Sequence, residues 1–186
     1  LDDFADDVAA VIDAFGGPAT LVGHDFGGQV AQMVAYLYPD LVSSLVLAAS
    51  PGPIQPKPEP ATALRRVFIP ELSNTDHLEA VALALFAPGN DPVAWFDGWH
   101  PTLAFAQAEA ERQIAIEELW ARLRTETLVI QPADDLIVLP ENAELMAAQA
   151  GDLVQVVTIP GAGHALLPEQ PEAVATAILG WLRAHS

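Results

Sequence analysis

Apolar residues recur along this chain with two alternating periods. Phe4, Val8, Val11, Ile12 and Phe15 follow the i, i+3, i+4, i+7 spacing of a helix over roughly 1–15. Gly16-Gly17-Pro18 ends it. Ala19-Thr20-Leu21-Val22 reads as a short strand, 27–38 as a helix closed by Pro39, and 44–48 as a strand too continuously apolar to be half exposed. The same grammar returns at Thr127-Leu128-Val129-Ile130, at a helix over 141–150, and at Val154 to Ile159. Pro171 opens a last helix that carries Val174, Ile178, Leu179 and Leu182 on one face. Near-continuous apolar strands separated by helices predict an α/β fold, a mostly parallel sheet covered by helices on both faces.

Between the second and third strands the pattern changes. Pro51 to Pro60 is proline-dense, incompatible with a helix interior or a central strand. The spacing beyond it is helical. Thr75 or Asp76 is placed to cap one helix running to 87, Pro92 suits the first turn of another, and Pro101 opens a long one through 121. No strand signal interrupts this block, so 51–122 reads as an all-helical insertion between core segments 1–50 and 123–186.

Composition narrows the partners. There are 25 acidic against 7 basic residues among 186, a formal charge of −18. Nucleic acid, which calls for a basic footprint, is excluded as a partner, and so are anionic membrane surfaces. The apolar runs fall far short of the ~20 residues of a membrane helix. The absence of cysteine removes disulfides, thiolate catalysis and thiolate metal sites. No His-x-x-x-His spacing points to a metal, and no cofactor is expected.

Asp25 carries the chemistry. It lies in Gly23-His24-Asp25-Phe26-Gly27, directly after one apolar strand and before a helix. That is the layout of a nucleophile elbow, a turn so sharp that its central side chain stands above the sheet. Glycines at 23 and 27 are expected because a Cβ on either flank would collide. Asp134-Asp135 and His164 follow the third and fourth strands, so three polar positions fall just past the carboxyl ends of three strands, where open parallel sheets bind ligands. His24 is expected to support packing or a hydrogen bond, and His77, His100 and His185 to be surface or helix-end residues.

Gly23-His24-Asp25-Phe26-Gly27-Gly28, then Asp134-Asp135-Leu136-Ile137-Val138-Leu139-Pro140-Glu141, then Gly161-Ala162-Gly163-His164 resemble, in that order, the α/β-hydrolase superfamily. Within it they are most similar to the branch with an aspartate nucleophile, the haloalkane dehalogenases and epoxide hydrolases. The resemblance implies Asp25 as nucleophile, Asp135 as triad acid with Asp134 competing, His164 as base, and the Phe26 N–H as one oxyanion donor. A carboxylate is ionised at neutral pH and attacks carbon without a base, leaving an alkyl ester that His164 would help water to hydrolyse. Haloalkane dehalogenases place Trp where Phe26 stands. Epoxide hydrolases use two tyrosines of the helical cap, whereas Tyr36 and Tyr38 both lie on the helix after the elbow. Trp95, Trp99 and His100, two indoles and an imidazole on one short stretch, are the pocket candidates, Trp99 and His100 also by likeness to fluoroacetate dehalogenases. Both tryptophans equally suit packing of the cap against the core.

Two further readings stay open. One is an ester or amide hydrolase with Asp in the serine position; the other is a non-catalytic binding homologue. A small-molecule substrate is expected, and oligomeric state is not legible. The chain opens on Leu1 in a helix already under way. On the resemblance it holds the last four strands of an eight-stranded enzyme of about 280–300 residues. The second oxyanion donor would lie upstream, and Ala19 to Val22 would leave an open edge.

Overall fold

The computed structural model describes residues 1–185. Helix α1 (Asp2–Phe15) leads into β1 (Ala19–His24), α2 (Phe26–Leu37) and β2 (Val42–Ala48). Four helices follow without a strand: α3 (Pro58–Val67), α4 (Asn74–Leu85), α5 (Pro101–Glu111) and α6 (Ile116–Ala121). The chain then alternates again through β3 (Thr127–Pro132), α7 (Glu141–Ala150), β4 (Val154–Ile159), α8 (Leu166–Glu169) and α9 (Pro171–Ala184).

The strands form one sheet in the order β1-β2-β3-β4, and every pairing is parallel. In β2, Leu45 and Leu47 face one layer with Val30, Val34, Val129 and Met146, while Val46 and Ala48 face the other with Leu128, Ile130, Val174 and Trp181. Apolar residues on both faces are what a doubly covered central strand requires. Each buried Leu, Val, Ile or Met side chain among them contributes about 1.5–3 kcal/mol by leaving water. Buried Ser44 is satisfied by the Thr20 hydroxyl at 2.8 Å and by the Trp181 indole N–H, which donates at 3.1 Å. A third cluster joins α3 and α4 through Val67, Val81, Leu85 and Phe86, with Trp95 and Trp99 packed against it.

Tertiary packing overrides the sequence pattern at several places. Val11 and Phe15 are exposed, and α1 buries Ala5, Ala9 and Ile12 instead. Leu179 of α9 is also exposed; Trp181 takes the buried position. The proline-dense stretch ends at Lys57, since Pro58 and Pro60 stand in the first turn of α3, where no intrahelical N–H is needed. Ser73, not Thr75 or Asp76, caps α4, its Oγ accepting from the Asp76 N–H at 3.1 Å. The single long helix expected from Pro101 breaks after Glu111, and Ile114 within the break and Ile116 at the start of α6 pack toward the core.

The helical segment is tied to the core layer near its start and again at the turn after α4. Asn142 accepts from the Ile54 N–H at 2.9 Å and donates to the Ile54 carbonyl at 3.0 Å. Glu169 accepts from the Ala87 N–H at 2.7 Å, the Asn90 amide at 2.6 Å and, on its other oxygen, the Gly163 N–H at 2.7 Å. Glu169→Ala strands those donors and is expected to lower unfolding free energy by roughly 2–4 kcal/mol, read from urea denaturation. No helix among the described residues is long and apolar enough to cross a membrane.

Candidate active site

The turn after β1 holds Asp25 at φ 51° and ψ −123°, a region costing a non-glycine residue on the order of 1–3 kcal/mol. The surroundings enforce it. A Cβ on Gly23 would drive into the Gly27 carbonyl, and one on Gly28 into the Ser50 side chain. At Gly27 the space is open, so the close approach that demands glycine lies at 23 and 28 rather than at both immediate flanks. The Asp25 N–H continues the ladder to the Ala48 carbonyl at 3.0 Å, anchoring the turn to β2.

Asp25 occupies the N-cap of α2, yet its carboxylate makes no capping hydrogen bond. It turns toward His164, with Oδ1 3.6 Å from Nε2 and 43% of the side chain exposed. The opposite ring nitrogen, Nδ1, donates to Asp135 Oδ2 at 3.0 Å. Asp135 is fully buried there, and its Oδ1 accepts from the Ile137 and Val138 N–H groups at 2.8 and 2.9 Å. Asp134 is exposed and takes no part. Phe26 opens α2, so its N–H has no intrahelical acceptor, and the residue lines the same cavity as Asp25. The structure thus brings Asp25, Phe26, Asp135 and His164 together at the carboxyl ends of the strands.

Burial alone would pull His164 down. The Asp135 charge, its hydrogen bond, and the Asp25 and Glu169 charges outweigh burial and raise His164 from 6.5 to about 9. His24 moves the other way, lowered first by burial and then by the neighbouring His164. Neutral His24 donates from Nε2 to the His164 carbonyl at 3.0 Å, the supporting hydrogen bond expected for it.

These shifts predict a pH dependence of folding. A group whose folded pKa is raised contributes stability that is complete below its unfolded value and lost as pH climbs through the folded one. His164 should therefore contribute about 3 kcal/mol at pH 6.5 and lose most of it by pH 9.5. The His24 effect falls below pH 6.5 and does not interfere. Urea unfolding across pH 7–9.5 should show the decline, and His164→Gln should flatten it.

A cavity of about 890 Å³ opens above Asp25 and His164, closed on its far side by the helices of 51–122. Trp95, Trp99 and His100 all line it. The Trp99 indole N–H is already donated to the Trp95 carbonyl at 2.9 Å, and Trp95 packs edge-on against His24 and Phe86. His100 is exposed at the start of α5. No group of three or more metal-ligating side chains is assembled among the described residues.

The model of the Alpha/beta hydrolase family matches residues 1–177. The chain belongs to that family. Its α/β-hydrolase architecture recurs in BpoC of Mycobacterium tuberculosis H37Rv, named as a candidate non-heme bromoperoxidase, at TM-score 0.79 and 29% identity over 98% of this chain and 73% of that one. A thermophilic esterase from Thermogutta terrifontis superposes at TM-score 0.76 and 29% identity, over 98% of this chain and 72% of that one. A meta-cleavage product hydrolase of Pseudomonas fluorescens IP01, at TM-score 0.71 and 22% identity over 100% and 72%, shares the fold. As a member of the α/β-hydrolase family with hydrolase neighbours, the protein is an enzyme.

Two site residues of this α/β hydrolase escaped the sequence pattern. Glu169 holds the His164 loop, and Gly163 lets that loop approach, since a Cβ there would come within 2.6 Å of the Ala87 nitrogen. Glu111 lines the cavity from the end of α5. Neither acidic residue stands in a motif.

Proposed function

We propose that this α/β hydrolase uses Asp25 as a carbon nucleophile and hydrolyses a small, largely apolar substrate through an ester on that side chain. The observation that carries the reading is the Asp25 carboxylate, uncapped and open to the cavity, 3.6 Å from an imidazole backed by a buried carboxylate. Asp25 attacks a saturated carbon bearing halide or epoxide oxygen. The resulting ester is neutral, so one of the charges holding the proton on His164 disappears. His164 releases that proton to solvent and then takes one from the water that attacks the ester carbonyl carbon, while Asp135 steadies the imidazolium. The Phe26 N–H would receive the oxyanion. Residues 51–122 act as the cap that shuts water out, between core segments 1–50 and 123–186.

The likeness to the Thermogutta esterase at 29% identity supports a second reading, ester hydrolysis with Asp25 in the serine position. A carboxylate attacking an ester yields an anhydride, an intermediate no more stable than the ester itself, and this favours the alkylation route. The two part in one experiment. His164→Ala is incubated with short alkyl bromides, epoxides and aryl esters, then digested and mapped by mass spectrometry. A stable alkyl adduct on Asp25 is expected. Labelling confined to other residues, or none, sinks the nucleophile.

A further inference from the structure

Asp25 and His164 account for attack and for ester hydrolysis, but not for the leaving group. Displacement at saturated carbon runs in line, so the departing atom moves away from Asp25, toward the helices that complete the cavity. An alkoxide leaving there requires a proton. Of the polar side chains the helices present to the cavity, Gln107 and Arg65 are too weak as acids to release a proton, and Arg65 is committed to the Thr62 hydroxyl. Trp99 donates to the Trp95 carbonyl, and Asp97 and His100 are exposed. Glu111 is half-buried and makes no hydrogen bond or ion pair among the described residues.

We propose that Glu111 is the proton donor to the leaving oxygen, and that the substrate is accordingly an epoxide. The proposal rests on Asp25 being the nucleophile. As the Asp25 oxygen forms its bond to carbon, the carbon–oxygen bond of the epoxide breaks, and the Glu111 carboxyl proton passes to the freed oxygen. Hydrolysis of the ester then releases the diol, with its second hydroxyl protonated through His164. Asp25 emerges as the acid, loses its proton, and Glu111 takes one up, so that one water is consumed per epoxide opened.

Electrostatics fit that role. Burial first, and the Asp25 charge second, push the Glu111 carboxyl up from 4.5 to about 7. It therefore holds a proton near neutral pH in an otherwise acidic protein. Alkylation of Asp25 removes the second of those causes, so Glu111 becomes a stronger acid as the transfer proceeds. The other titratable or charged groups on this cavity are Asp25, His24, Arg65, Asp97, His100 and His164.

The test compares two reagents of matched size in the His164→Ala background, 1,2-epoxybutane and 1-bromobutane, because bromide leaves without a proton. Adding Glu111→Gln should slow Asp25 alkylation by the epoxide at least about 100-fold and alter alkylation by the bromide less than about threefold. With Glu111 present, the epoxide rate should fall as pH rises through about 7, and Glu111→Gln should abolish that dependence. Glu111→Asp should restore part of the rate. Equal slowing of both reagents, no slowing of either, or labelling by the bromide but never the epoxide would overturn Glu111 as the donor. Failure of both reagents to label Asp25 would overturn the nucleophile instead, and this inference with it.

Discussion

Asp25→Asn is expected to abolish turnover by about 10⁴-fold or more while leaving the thermal transition within a few degrees of the parent. The magnitude follows from nucleophile deletions in other covalent hydrolases, where the residual rate reflects only binding and oxyanion contacts. The carboxylate makes no capping bond to α2, so the amide forfeits no hydrogen bond that holds the fold. Asn is also among the residues best tolerated at positive φ, here 51°. His164 provides a second readout. With the Asp25 charge gone, one of the causes raising the imidazole is lost, and its titration by NMR should move below the parent value of about 9. Retention of even a tenth of parental turnover would remove Asp25 from the chemistry.

Asp135→Asn should cost nearly as much by a different route. Its Oδ1 binds two backbone N–H groups and the amide oxygen of Asn can keep both, so the loop geometry survives. The amide nitrogen then faces His164 Nδ1 at the 3.0 Å contact and must donate. That forces the imidazole proton onto Nε2, the nitrogen that has to accept from water. A loss of about 10⁴-fold in kcat is expected for this inverted tautomer. The ester on Asp25 should still form, so the variant should accumulate adduct where Asp25→Asn cannot. Rapid-quench mass spectrometry separates them; an Asp135→Asn enzyme with unimpaired deacylation would show that the pairing is structural.

The parallel sheet and the position of the site were legible because both rest on short-range signals. Apolar runs marked β2, β3 and β4, and α7 and β4 have the bounds that the pattern predicts. Asp25, Asp135 and His164 stand where strands end, which periodicity can locate. What escaped depends on packing between distant segments. Nothing near Arg112 signals a helix break, for it accompanies the turn that brings Ile114 and Ile116 to the core. Glu111 acquires its character from burial beside a carboxylate more than eighty residues away in sequence. Phe15 and Leu179 obey helical spacing and still face outward, because spacing does not say which face has a neighbour. The expectation for Gly27 erred likewise: the tight approach is made by Ser50, which joins the turn only in three dimensions.

The two tethers described above, Asn142 on Ile54 and Glu169 on Ala87 and Asn90, bear on how molecules get in. Lifting the 51–122 helices away at Ile54 or at the turn after α4 would sever several bonds at once, and at that turn would drag the backbone that carries the imidazole. The flank formed by α5 is held more loosely, for it buries only Ala110 and turns Leu103 and Phe105 outward. Leu103 also borders the cavity, which makes this rim the place where a change of side-chain size would alter the opening.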